Sequence, residues 1–259
     1  KIVFCGVEPL FQKIGDLSIE TLAKYPARKQ FWLCVSGATP LHDYVRAPFE
    51  EKTGAKITEG YGLAEASPIC SLNNFYGERE PGFIGVPLPG TDWRIFDSGD
   101  FSKGPIEDLT EKGTGELCVS GPQVMKGYLN NPEATKECIR EWKGRKWLLT
   151  GDIGWMDQYG LVQLKDRKKQ LIKVKGFSAF PTDIETLMGE HPAIREIVVA
   201  GIPDPDLGEA VKAWIVLKPE FANKISAQDI IEWAKSHMAP YKVPKFIEFI
   251  DQIPRTSVG

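Results

Sequence analysis

Residues 59–68, EGYGLAEASP, place an aromatic ring between two glycines and a single carboxylate four positions later. Gly60 and Gly62 allow close backbone approach, so a purine could stack on the ring of Tyr61. Glu65 could bind Mg²⁺, a cation that combines carboxylate oxygens with phosphate oxygens. The alternative interpretation is a loop whose Tyr61 packs in the core and whose Glu65 is solvated.

An acidic turn, TGD at residues 150–152, is the second candidate for chemistry. The carboxylate of Asp152 could accept both hydroxyls of a ribose, as acidic residues do in dinucleotide-binding folds. Arg167 follows fifteen positions later, across a predicted hairpin, and could point back toward the same sugar. A solvated turn and a solvated strand end are the alternative interpretations.

Six Lys and Arg residues lie between positions 165 and 175, in KDRKKQLIKVK, although the whole chain has a formal charge of −3. Apolar residues and Asp166 interrupt these cations, so the cluster suits one small anion. A nucleic-acid groove needs a broader basic face, and we therefore expect no nucleic-acid partner. Peripheral contact of these lysines with a membrane surface is left open.

The remaining sequence excludes several classes of protein. It lacks a GxxxxGK[ST] phosphate loop, a GxGxxG dinucleotide fingerprint and a GxSxG nucleophile elbow. Five scattered cysteines without a CxxC pair indicate reduced thiols and no structural zinc, which favours a cytoplasmic protein. No signal peptide is recognised, and no apolar run is long enough for a membrane span.

The 259 residues exceed the usual size of one domain, and their spacing predicts three regions. In residues 1–80, a buried strand QFWLCVS, a Gly-containing loop and a helix that ends at Gly54 predict α/β layering, with a kink or the start of a new turn expected at Pro48. Residues 81–166 carry short strands and turns, with a hairpin turn at Tyr159-Gly160, and predict a mainly antiparallel sheet or open barrel.

After Arg167 the pattern predicts a compact α+β module, with the boundary near residues 166–169. Strands are predicted in LIKVKG, EIVVAGIP, AVKAWIVLKP and KFIEFI. One helix, in PTDIETLMGEHP, is predicted to carry a capping box with Thr182 as N-cap and Glu185 three residues on. The other helix, in SAQDIIEWAKSHM, is predicted to be capped by Ser226.

The order YGLAE, GELCVSGPQVMKGY, TGD, DRKKQLIKVKGF, PTDIE, YKVPKFIEF and IPRTSVG resembles the adenylate-forming enzymes. This superfamily includes acyl-CoA synthetases, firefly-type luciferases and peptide-synthetase adenylation domains. The resemblance runs from about residue 35 to the last residue, and is strongest to the long-chain fatty-acid CoA ligases. It implies that residues 1–166 are the C-terminal part of a large AMP-binding domain and residues 167–259 a small mobile domain.

For the large domain, the resemblance implies a nucleotide site built from separate loops. The implied residues are Gly37 and Ala38, which follow Ser36 at the acyl pocket and the edge of the adenine; Gly60, Tyr61 and Gly62, the adenine-stacking turn; Glu65, the Mg²⁺ ligand; and Asp152, the ribose-binding acid. Position 64 is Ala where the family usually has Thr, so a hydroxyl contact to phosphate is missing there.

For the small domain, the resemblance implies that Arg167 is the partner of the ribose-binding acid and that Lys169 is the hinge. Lys173, Lys175 and Gly176 match the loop that faces the active site during thioester formation, where the pantetheine arm of CoA passes.

Two features of the family are absent from the sequence. The Ser/Thr/Gly-rich phosphate loop is expected well upstream, and the catalytic Lys normally follows the Gly of PRTSVG, where this chain stops at Gly259. The sequence is therefore interpreted as roughly the second half of such an enzyme, unable to adenylate by itself.

The implied activity is ATP-dependent long-chain fatty acyl-CoA ligation. A fatty acid displaces pyrophosphate from ATP to give an acyl-adenylate, and CoA then displaces AMP to give the thioester. Mg²⁺ on Glu65 would neutralise charge on the phosphate oxygens. The implied partners are fatty acid, ATP or AMP, and CoA. Two alternatives stay open: the same chemistry on an aryl, amino or luciferin-like acid, and a non-catalytic module that binds AMP or acyl groups.

Overall fold

The computed structural model describes residues 2–25, 31–37, 41–74, 82–222 and 224–254. The chain divides into two compact units, Lys1–Leu164 and Lys165–Gly259. Among the described residues, no helix is long and apolar enough to cross a membrane. The five cysteines are free thiols.

A five-stranded sheet, in which the strands follow one another in chain order, forms the start of the first unit. Its strands are β1 (Ile2–Gly6), β2 (Phe31–Ser36), β3 (Ile57–Gly62), β4 (Ile69–Leu72) and β5 (Val86–Pro87), and its helices are α1 (Glu8–Gly15), α2 (Ile19–Ala23) and α3 (Asp43–Thr53). The first three strands pair in parallel and the last two are antiparallel. Phe11, Phe49 and Ile57 are the largest buried side chains of the core between helices and sheet.

Helix α3 forms where its spacing predicts it, and its end has a local cause. Gly54 follows the last helical residue in the left-handed conformation, at φ 72°, which a residue without Cβ adopts at little cost. The predicted stop is therefore confirmed. Pro48 lies inside the helix, and the helix continues past it to Thr53.

A second, mainly antiparallel sheet is formed by β6 (Asp92–Phe96), β7 (Gly115–Ser120), β8 (Ile139–Trp142), β9 (Arg145–Met156) and β10 (Val162–Arg167), and α4 (Pro132–Cys138) precedes β8. Its strand order is β10-β9-β7-β6, with β8 paired to β9, and residues 165–167 at the end of β10 belong to the second unit. Every residue of β7 is buried, so this strand is the centre of the sheet. The turn from β9 to β10 contains Gly160 at φ 83°, which confirms the predicted hairpin.

The elements of the second unit are β11 (Ile172–Val174), β12 (Phe177–Ala179), α5 (Pro181–Gly189), β13 (Ile194–Asp204), β14 (Gly208–Leu217), α6 (Ala227–His237) and β15 (Phe246–Phe249). The strands form one sheet of order β12-β11-β14-β13, with β15 paired in parallel to β14. Its core contains Ile184 and Met188 from α5, Ile230 from α6, and Val211 and Ile215 from β14.

The caps of the two helices in this unit differ from each other. Ser226 caps α6, as predicted, and it also forms a full capping box with Asp229. The capping box predicted at Thr182 and Glu185 is wrong, because α5 already begins at Pro181 and Thr182 is inside it. The N–H of Thr182 donates instead to Oδ2 of Asp166, at 3.1 Å. The carboxylate that accepts from the first turn of α5 is therefore that of Asp166, sixteen positions before Thr182 in the chain.

We predict that Ser226→Ala weakens α6 locally. The loss of an N-cap acceptor costs about 1 kcal/mol, which corresponds to about fivefold faster amide exchange in the first turns of the helix. Hydrogen exchange of the α6 amides measures this effect. Ser226→Asn keeps a capping oxygen and is the matched control; equal exchange in the Ala and Asn variants would contradict the assignment.

Candidate active site

Asp152 lies on a bulge of β9. Glu116 pairs with Ile153 and Cys118 pairs with Leu149, so three residues of β9 lie opposite Leu117 alone. Gly151, the middle residue of the three, has φ 74°, a conformation that L side chains rarely adopt. Bulges of this kind redirect side chains next to active sites. The TGD residues are therefore part of strand β9 in the second sheet.

Side chains from two strands fix the backbone of this bulge. The Thr150 hydroxyl donates to the carbonyl oxygen of Leu117 at 2.8 Å and accepts from the N–H of Asp152 at 3.1 Å. Oε1 of Glu116, a buried carboxylate on β7, accepts from the N–H of Gly151 at 3.1 Å. The position of Asp152 is therefore determined by hydrogen bonds to the residues before it.

The carboxylate of Asp152 is buried, with 5% of the residue exposed, and a phenol donates to it. The Tyr61 hydroxyl lies 2.6 Å from Asp152 Oδ2, although 91 positions separate the two residues. Burial, together with the charge of Asp152, raises the pKa of Tyr61 well above its ordinary value. Tyr61 is therefore a protonated donor at neutral pH.

The ring of Tyr61 belongs to the hydrophobic core of the second sheet, in one cluster with Trp93, Leu117 and Leu148. Only 9% of the residue is exposed. The structure thus brings together two residues that the sequence analysis assigned to separate parts of a nucleotide site. The alternative interpretation, in which the ring of Tyr61 packs in the core, therefore also agrees with the structure.

The glycines beside Tyr61 are required by contacts within the chain. A Cβ on Gly62 would lie 1.8 Å from the carbonyl oxygen of Pro68, and one on Gly60 would lie 3.1 Å from Leu72 Cδ2. We expected close approach to a ligand, and the structure gives a second reason for these glycines. Strands β3 and β4 could not pair in this register with a larger residue at 62, whereas at 60 the side chain of Leu72 would have to shift slightly.

Glu65 lies on a short 3-10 turn between β3 and β4, and two groups of one loop contact it. The Tyr128 hydroxyl donates to Oε1 at 2.6 Å, and the N–H of Met125 donates to the backbone carbonyl oxygen at 2.7 Å. The hydrogen bond to Glu65 raises the pKa of Tyr128 to about 12. Glu65 is half-buried and hydrogen-bonded, and Ala64 beside it is exposed.

The carboxylate of Glu65 is the kind of oxygen ligand that Mg²⁺ binds. Among the described residues, no group of three His, Cys, Asp or Glu side chains is placed to hold a metal ion. Mg²⁺ in proteins is often bound by one carboxylate together with substrate phosphates and water. Glu65 therefore fits a cation that arrives with a nucleotide.

At the end of β2, Ser36 is buried and its hydroxyl has no hydrogen-bond partner among the described residues. The N–H of Gly37 donates to the carbonyl oxygen of Gly6 at 3.2 Å. A Cβ on Gly37 would lie 3.3 Å from the carbonyl oxygen of Gly60, so β2 and β3 are closely packed here. Ala38, the third residue of this predicted loop, lies outside the described residues.

The remaining predicted residues lie in the second unit. Arg167 ends β10 and is exposed, and Lys169 is exposed on the 3-10 turn that follows. Lys175 and Gly176, at φ 49° and 86°, form a two-residue turn between the paired residues Val174 and Phe177. Two successive positive φ values are typical of a type I′ hairpin turn.

Lys173 lies on β11, directly before this turn, and both ends of the residue are hydrogen-bonded. Its Nζ donates to the Ser178 hydroxyl and its backbone N–H donates to Glu209 Oε2, each at 2.6 Å. The structure therefore gathers Lys173, Lys175 and Gly176 on one hairpin.

Three residues of the site were missed in the sequence: Glu116, Thr150 and Tyr128. Glu116 had a signal, because it is the one carboxylate in the apolar strand GELCVS and such a residue needs a partner. Thr150 is the first residue of the predicted TGD turn, but the hydrogen bonds of its hydroxyl depend on the bulge, which the sequence did not predict. Tyr128 had no local signal.

Two family models match the chain. The model described as AMP-binding enzyme matches residues 2–129, and the model described as AMP-binding enzyme C-terminal domain matches residues 183–259. The matched segments lie on either side of the boundary between the two compact units.

A long-chain-fatty-acid–CoA ligase of Bacillus subtilis (strain 168) is 45% identical over 228 residues, which are 87% of this chain and 38% of the relative. A feruloyl-CoA synthase of Amycolatopsis sp is 35% identical over 208 residues, 80% of this chain and 40% of the relative. The chain thus spans about two fifths of the length of these curated relatives.

The crystal structure of ATP-bound MatB from Rhodopseudomonas palustris matches with a TM-score of 0.79 and 31% identity, over 99% of this chain and 48% of MatB. This likeness confirms the predicted fold class, an α/β and mainly β large-domain fragment followed by a small α+β domain. The ligase relatives and both family models confirm the resemblance stated from the motifs. The chain belongs to the adenylate-forming AMP-binding enzymes and carries parts of both of their domains.

Proposed function

We propose that the full-length protein is an ATP-dependent acid–CoA ligase of the AMP-forming type, which acts on long-chain fatty acids. The observation that carries this proposal is the buried Asp152 carboxylate, held on a bulge by backbone contacts and by the Tyr61 phenol. A fixed acceptor of this kind suits the hydroxyls of a ribose, since it is oriented before the nucleotide binds.

The chemistry requires activation of a carboxylate. A carboxylate is a poor electrophile because its negative charge repels nucleophiles and its leaving group would be oxide. Attack of the fatty acid oxygen on the α-phosphorus of ATP expels pyrophosphate and leaves AMP as a good leaving group. The CoA thiol then attacks the acyl carbon, AMP departs, and the thiol proton is released.

In this proposal the residues of the first unit bind and orient the nucleotide. Asp152 accepts from the ribose hydroxyls, and Tyr61 with its flanking glycines borders the purine. Glu65 supplies the protein ligand for Mg²⁺, which when bound would neutralise charge on the phosphate oxygens. Each of these groups is held by hydrogen bonds or core packing within the unit.

The residues of the second unit serve thioester formation in this proposal. The hairpin of Lys173, Lys175 and Gly176 borders the path of the pantetheine arm, and Arg167 is the residue of this unit that we assign to the nucleotide. Adenylation and thioester formation require different groups at the same carboxyl carbon. We therefore propose that the second unit turns about Lys169 between the two half-reactions.

The second candidate function is ligation of an aryl acid to CoA. The similarity to a feruloyl-CoA synthase, at 35% identity, favours this candidate. Both candidates share the adenylate chemistry and differ only in the acid that is activated.

The identity of the acid substrate is tested with the full-length protein, by measuring pyrophosphate release with fatty acids of graded chain length and with ferulate. We expect kcat/KM to rise with chain length, by up to about tenfold for every two methylenes, until the acyl pocket is filled. A preference for ferulate would establish the second candidate. AMP binding without pyrophosphate release from any acid would indicate a non-catalytic module.

We predict that Asp152→Asn raises the KM for ATP by about 10- to 100-fold, since a hydrogen bond to a charged acceptor is lost at each ribose hydroxyl. The preference for ATP over 2′-deoxy-ATP should shrink in the same variant. Asp43→Asn changes an exposed carboxylate of the same unit and is the control. An unchanged ratio of the two nucleotides in Asp152→Asn would refute the ribose assignment.

We predict that Tyr61→Phe lowers the free energy of unfolding by about 1–3 kcal/mol, because a buried carboxylate loses its phenol donor. Urea unfolding of the purified protein measures the change. Tyr159→Phe removes the hydroxyl of an exposed tyrosine in the same unit and should be neutral. Equal stability of the two variants would show that the Tyr61–Asp152 hydrogen bond contributes nothing.

A further inference from the structure

The loop between β7 and α4 carries Tyr128, whose hydroxyl contacts Glu65 from 63 positions away. The distance between the phenol oxygen and Glu65 Oε1 is 2.6 Å, the length expected for an O–H donor to an ionised oxygen. The same loop donates a second hydrogen bond, from the N–H of Met125 to the carbonyl oxygen of Glu65. One loop therefore fixes both the backbone and the side chain of Glu65.

Tyr128 is itself held in place by helix α4. Its N–H donates to the Thr135 hydroxyl at 2.9 Å. Gly127, directly before it, has φ 152°, and a Cβ there would lie 2.7 Å from Thr135 Cγ2. Asn131 caps the helix through its side chain. The phenol therefore reaches Glu65 from a backbone whose position is already determined.

A glutamate carboxylate that is half-exposed otherwise samples several side-chain rotamers, and a metal ligand gains affinity when its orientation is fixed in advance. A carboxylate has about four lone-pair positions, so one phenol donor leaves acceptor capacity for a cation. The phenol carries no charge of its own, so it does not repel a cation that approaches Glu65.

We propose that Tyr128 is a positioning residue for the metal-bound nucleotide: it holds the Glu65 carboxylate in the orientation that binds the Mg²⁺ of Mg·ATP. This inference rests on the proposed function and adds a residue to it. In this role Tyr128 acts through Glu65, to which its hydroxyl donates.

The test measures metal binding directly in the full-length protein, with Mn²⁺ as the probe and α,β-methylene-ATP as a nucleotide that cannot be adenylated. Free Mn²⁺ is quantified by electron paramagnetic resonance. Residues that orient metal ligands contribute about 10- to 100-fold in affinity, and we expect Tyr128→Phe to weaken Mn²⁺ in the ternary complex by about tenfold. Nucleotide binding without metal should be unchanged. Tyr159→Phe is the matched control and should equal the wild type.

A double-mutant cycle separates positioning from a general structural effect. Glu65→Gln should weaken Mn²⁺ at least as much as Tyr128→Phe, and adding Tyr128→Phe to Glu65→Gln should cause no further loss. Additive losses would mean that Tyr128 acts by another route and would overturn the inference. Mn²⁺ affinity within twofold of wild type in Tyr128→Phe would also overturn it.

The inference and the proposed function fail separately. If Glu65→Gln weakens Mn²⁺ while Tyr128→Phe does not, the positioning role is wrong and the ligase proposal stands. If the full-length protein releases no pyrophosphate from any acid, while the Mn²⁺ cycle is non-additive as expected, the positioning role stands and the ligase proposal is wrong.

Discussion

The burial of one carboxylate, on Asp152, is a constraint from which several contacts of the first unit follow. An ionised carboxylate removed from water is strongly destabilising unless donors surround it. The phenol of Tyr61 supplies such a donor from the neighbouring sheet, and its ring is in turn part of the core. The bulge requires a glycine at 151 and the hydroxyl of Thr150 to place the carboxylate there. Several features of the two sheets thus follow from a single acid.

Both acids assigned to the nucleotide are held by phenols, at 2.6 Å in each pair. A Lys or Arg partner would hold a carboxylate as well, but would cancel its charge. A tyrosine donates a hydrogen bond and leaves the charge in place. A phenol occupies one acceptor position of a carboxylate and leaves others for a ribose hydroxyl or for a cation. The choice of partner is therefore consistent with acids that must still bind a ligand.

Helices and strands were predicted from the sequence more accurately than the contacts between side chains. Apolar spacing and Gly54 predicted α3 and its end, because those signals are local. The capping box at Thr182 was wrong because the acceptor is Asp166, which no local pattern connects to that helix. Tyr61 and Asp152 were each singled out, yet their contact spans 91 positions and depends on how two sheets pack. The ordered family motifs placed the candidate residues, while the pairing of their side chains required the fold.

The hydrogen bonds of Asp166 limit where the proposed pivot can lie. Its Oδ2 accepts from the N–H of Thr182 at the start of α5, and its Oδ1 accepts from the N–H of Arg167. Rotation at a bond before Asp166 leaves both hydrogen bonds intact, whereas rotation just after it breaks the contact to Arg167. The turn Lys168–Gln170, which carries Lys169, has exposed positions and is the next segment in which backbone angles can change without exposing core. Lys169 lies between Asp166 and Thr182 in the chain, so rotation at Lys169 separates Asp166 from α5, and the proposed pivot there requires the loss of the hydrogen bond to Thr182.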